Sequence, residues 1–86
     1  MPYIKQERRK ELDDALEELA EKIEGVGELN FAVTTLLLRY YDYDCGESYA
    51  TFNSIMGVLE CAKQEFYRRV LVPYEDKKCK ENGDVY

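Results

Sequence analysis

Leu12, Leu16, Leu19 and Ile23 recur at intervals of four, three and four residues. At ~100° per residue these side chains fall within ~60° of one another, so the chain begins with a one-sided amphipathic helix. Ala15 and Ala20 border the stripe, and the remaining face is Asp, Glu, Lys and Arg. Such a stripe has to be covered, and the rest of the chain offers further helices to cover it. The period predicts a first helix over about 6–24, with Pro2 ahead of it and Gly25 as its stop.

Gly25-Val26-Gly27 reads as a tight connector, followed by a second helix over about 28–41. Leu29, Val33, Leu36 and Tyr40 form its main stripe, but Phe31 and Leu38 lie ~200° and ~180° away from Leu29. A helix with two apolar faces is sandwiched between others or completed by another chain. The polar run Asp42–Glu47 reads as a loop. Ser48 is suited to cap a long third helix over about 49–72, whose core face is Phe52, Ile55, Met56, Leu59, Phe66 and Val70. Pro73 predicts a kink or a break. Residues 74–81 suit a short fourth helix stopped by Asn82-Gly83, with a loose end at 84–86. The expectation is one all-α domain over 1–86: a three-helix bundle with a long third helix and a short C-terminal helical extension after Pro73.

Two features of this pattern bear on function. At ~1.5 Å per residue the third helix outruns the second by ~15 Å, and the overhang carries Phe66, Tyr67, Val70, Leu71 and Val72. The third helix also has a stripe of small residues, Ala50, Ser54, Gly57 and Cys61, ~180° from Leu59. Gly57 is the informative member, because a glycine inside a helix costs ~1 kcal/mol relative to alanine. The plain reading is an ordinary surface with a tolerated glycine. The sharper one is close approach by the same helix of a second copy. With the second face of helix two, Phe31 and Leu38, it favours a homodimer.

Charge narrows the partners. The chain has 86 residues and a net charge of −6, which disfavours binding to duplex nucleic acid. The sign is uneven: residues 12–30 sum to −6, whereas 1–11 and 61–86 are mildly basic. Cys45, Cys61 and Cys79 are odd in number and widely spaced, and the charged start lacks the apolar core of a secretory signal. They read as reduced thiols of a cytoplasmic protein. The apolar run around 29–38 is too short for a membrane span.

Chemistry is sparse. The absence of histidine removes the commonest acid–base group and metal ligand. There is no glycine-rich phosphate loop, serine elbow or cysteine pair. Asp42, Asp44, Gly46 and Glu47 fail as a calcium loop, since glycine sits one place early and Asn53 falls where the bidentate Glu belongs. The expectation is therefore no catalytic residue, no metal and no cofactor. Eight tyrosines remain to be explained. They seal the edges of a small bundle, serve a contact surface, or hold an anion. For the last of these, Arg68, Arg69, Tyr74, Lys77 and Lys78 around Pro73 are the candidates for a small nucleotide-like ligand.

The stretches GELNFAVTTLLLRY (27–40) and YATFNSIMGVLECAKQEFYRRVLVPYEDKKCKENGDVY (49–86) resemble a family of short uncharacterised proteins from bacteria and phages. Residues 67–86 are the most specific part. The resemblance implies a phage or prophage context and assigns no residue a role. The expectation from the residues is a non-enzymatic helical interaction module acting through a second copy of itself or another protein. Sequestration of a small anionic ligand is the alternative.

Overall fold

The structure, a computed structural model, describes residues 3–44 and 46–86. The chain is all-α, with no strand among the described residues. Helix α1 spans Gln6–Lys22, α2 Val26–Asp44 and α3 Tyr49–Phe66, and a single π-helical segment, Tyr67–Leu71, leads into α4, Val72–Asn82. These elements fall into two units, Met1–Asp42 and Tyr43–Tyr86.

In the first unit, α1 ends two residues earlier than its period suggests. The backbone turns extended at Ile23, whose N–H donates to the Ala20 carbonyl at 3.3 Å. Gly25 therefore starts the next helix instead of stopping the last one. Its carbonyl accepts the Leu29 N–H at 2.9 Å, and the Glu28 carboxylate accepts the Glu24 N–H at 2.9 Å. That reach-back satisfies a donor ahead of the helix, much as a capping box does. It draws Val26 and Gly27 into α2, so the expected connector is only residues 23–25. At its other end α2 runs through Asp42 and Tyr43 to Asp44, three residues past the expected Tyr41.

In the second unit, Ser48 caps α3 as its position predicts: its Oγ accepts the Thr51 N–H at 3.1 Å. Of the kink or break expected at Pro73, the break does not occur. Pro73 sits in the first turn of α4, where a missing N–H and a fixed φ are tolerated. The adjustment lies just upstream, where the Val72 N–H donates to the Tyr67 carbonyl five residues back. A wider i→i+5 turn accommodates the proline without ending the helix. The expected helix 49–72 and short helix 74–81 are thus one unbroken helical run, Tyr49–Asn82, about 50 Å long at ~1.5 Å per residue. It stops at Gly83, whose φ of 83° only glycine adopts readily and whose N–H donates to the Cys79 carbonyl at 2.8 Å.

No side chain is buried among the described residues. The accessible surface is 8234 Å².

Candidate functional site

The open surface is where α1, α2 and the long helical run present their apolar stripes. On α1, Leu12, Leu16 and Leu19 remain exposed, Leu16 at 53%. On α2 both faces are open: Leu29, Val33 and Leu36 on one, Phe31 (70% exposed) and Leu38 on the other. On the long run, Ile55 and Leu59 are half-buried, while Met56, Phe66 (66%) and Val70 (54%) are exposed.

The small-residue stripe is open as well. Ala50, Ser54, Gly57 and Cys61 are all exposed, and a Cβ placed on Gly57 meets nothing within 4 Å. The chain itself gives Gly57 no packing reason to be glycine. Cys61 and Cys79 are free, exposed thiols. Cys45 lies outside the described residues.

Arg68 and Arg69, two members of the basic cluster, share one partner. They close together on the Glu65 carboxylate, at 3.1 and 2.8 Å. The hydrogen bond from Arg69, then that from Arg68, holds the Glu65 carboxyl below its ordinary range. An incoming phosphate would have to compete with this carboxylate for the same guanidinium donors. Lys78 lies over the Tyr74 ring, 5.6 Å from its centroid, and pairs with Glu81 at 3.3 Å. The sequence holds the signal for both arrangements: Glu65 stands three and four residues before the two arginines, and Tyr74 four before Lys78. A similar pattern upstream lowers the Glu60 carboxyl, chiefly through Gln64 and then Lys63.

Other surfaces are shallower. A groove of about 530 Å³ runs along the start of α1 beside Ile4, Leu12 and Leu16, rimmed by Arg9, Lys10 and Asp13. Arg9 is fixed there by donating to the Ile4 carbonyl at 2.6 Å and by lying 5.9 Å from the centre of the Tyr3 ring. Among the described residues no group of His, Cys, Asp or Glu side chains is placed to hold a metal ion. Nor, among them, is any helix long and apolar enough to cross a membrane.

The model of the family described as "Domain of unknown function (DUF6899)" matches residues 1–85. The chain belongs to this DUF6899 family. No curated protein and no solved structure matches it. What the DUF6899 fold does has to be read from its own surface, where the described residues expose much of the apolar stripe of each helix.

Proposed function

We propose that this DUF6899 protein is a non-enzymatic helical interaction module that works as a homodimer. The observation that carries the reading is that every apolar stripe of the chain, including both faces of α2, stays open to solvent. Helices in proteins draw most of their stability from packing of an amphipathic face, and a second chain would supply that packing to the open stripes of α1 and α2. The cytoplasm of a bacterium, with the gene carried by the host or a phage, is the setting we assign it.

Sedimentation velocity and light scattering at micromolar concentration test the proposal. A species of twice the chain mass is expected, with far-ultraviolet helicity that falls on dilution to nanomolar. A monomer that keeps full helicity at every concentration and captures no protein in pull-downs would overturn it.

A further inference from the structure

We infer that the π-helical segment Tyr67–Leu71 is a register device: it takes up one extra residue, so that a single packing seam from Phe52 to Tyr74 runs unbroken past Pro73. The inference concerns the facing of side chains along one helical run and does not depend on the dimeric reading.

Spacing is the first argument. Phe52, Leu59 and Phe66 follow one another at intervals of seven, and Tyr74 follows at eight. The neighbouring row does the same: Ile55 and Ala62 are seven apart, and Val70 follows at eight. Intervals of seven keep side chains on one side of an α-helix, because seven residues fall only ~20° short of two turns. Eight residues overshoot two turns by ~80°. In an uninterrupted α-helix the two rows would continue at intervals of seven to Pro73 and Arg69, and Tyr74 would stand well to one side.

The hydrogen bonds are the second. Both rows change interval between residues 62 and 74, and within that stretch the Val72 N–H reaches back five residues to the Tyr67 carbonyl. A turn closed at i+5 holds one residue more than an α-turn, so the residues beyond it face as though one had been removed. Eight residues then act as seven, and Tyr74 returns to within ~20° of the line of Phe66. Val70, inside the segment, gains part of the same correction.

Pro73 is the third. In an uninterrupted α-helix its ring would meet the carbonyl four residues back, that of Arg69, and leave it without a donor. The wider turn directly ahead of the proline relieves that clash, so the residue that disfavours a regular helix stands where the register needs the extra residue.

Thermal unfolding of the full chain, followed at 222 nm at one concentration, tests the inference whatever the mass of the species that melts. Tyr74→Lys places a charge in the seam and is expected to lower the midpoint by about 5 °C or more. Deleting Arg68 together with Pro73→Ala removes the extra residue and the proline at once, so that both rows run at intervals of seven throughout. Its midpoint is expected within about 5 °C of wild type, with the same loss when Tyr74→Lys is added. Deleting Gln64 instead, in regular α3, leaves Leu59 and Phe66 six apart and turns Phe66 ~100° off the seam. That deletion is expected to lower the midpoint clearly more. An Arg68 deletion as damaging as the Gln64 deletion overturns the inference. So does a Tyr74→Lys protein that melts with wild type, since Tyr74 then lies outside any packed face.

Discussion

Gly57→Leu separates the two roles that position could play. Within one chain the substitution meets no obstacle: the site is mid-helix, φ is not positive, and the space around an added Cβ is empty to 4 Å. The only effect on an isolated helix is propensity, a gain of about 0.8–1 kcal/mol, or roughly fivefold in local helix formation. In a dimer that brings a second backbone over Ala50, Ser54, Gly57 and Cys61 the sign reverses. Overpacking costs about 1–3 kcal/mol per site, and a two-fold contact meets the new side chain from both copies. The net expectation is association weakened by about 2 kcal/mol or more, some thirtyfold. The assay pairs sedimentation velocity over a concentration series with ellipticity at 222 nm. A Gly57→Leu protein that is more helical when dilute and less dimeric when concentrated fits the reasoning. A dimer as tight as wild type would remove the small stripe from the interface and leave Gly57 as a tolerated surface residue.

Three further outcomes rest on local geometry. Ser48→Ala removes the acceptor of the Thr51 N–H and should destabilise the start of α3 by about 1 kcal/mol, read as faster amide exchange over residues 49–52. Glu65 has a depressed pKa, so its clasp on Arg69 and Arg68 is complete above the normal carboxylate range and is lost as pH falls through the lowered value. Acid should therefore loosen the π-turn in wild type but not in Glu65→Gln, which chemical shifts of residues 65–71 would register. Pro73→Ala restores a backbone donor and should let the π-turn close into regular α-helix, moving the Val72 N–H from the Tyr67 carbonyl to that of Arg68. Persistence of the i→i+5 bond would show that proline is not its cause.

The sequence made the helices legible because their apolar period is strong, and it misplaced their ends where side-chain chemistry overrides period. Gly25-Val26-Gly27 has turn composition, yet the Glu28 carboxylate folds back on the Glu24 N–H and converts two of the three residues to helix. Pro73 is a breaker by composition, yet a first-turn position after a π-turn needs no break. Hydropathy period carries no information on whether a turn closes at i+4 or i+5, so the Tyr67–Leu71 segment was beyond it. The clasp of Glu65 on Arg68 and Arg69 was legible in spacings of three and four residues, but a count of basic groups alone does not show that these donors are engaged.

The same clasp bears on the choice between a protein surface and a small-ligand site. A carboxylate held between two guanidiniums lowers the segment's net attraction for a phosphate, since both guanidiniums already pair with Glu65. A protein partner that reads the apolar strip needs no such fork. A millimolar nucleotide that raised the melting temperature would contradict this ordering, because stabilisation by ligand requires a site the native chain presents. Raising ionic strength should instead weaken self-association, as screening shortens from about 10 Å at 0.1 M to about 3 Å at 1 M. Association that grew tighter over the whole of that range would mean the charged flanks do not steer it, leaving the open leucine and phenylalanine stripes to act alone.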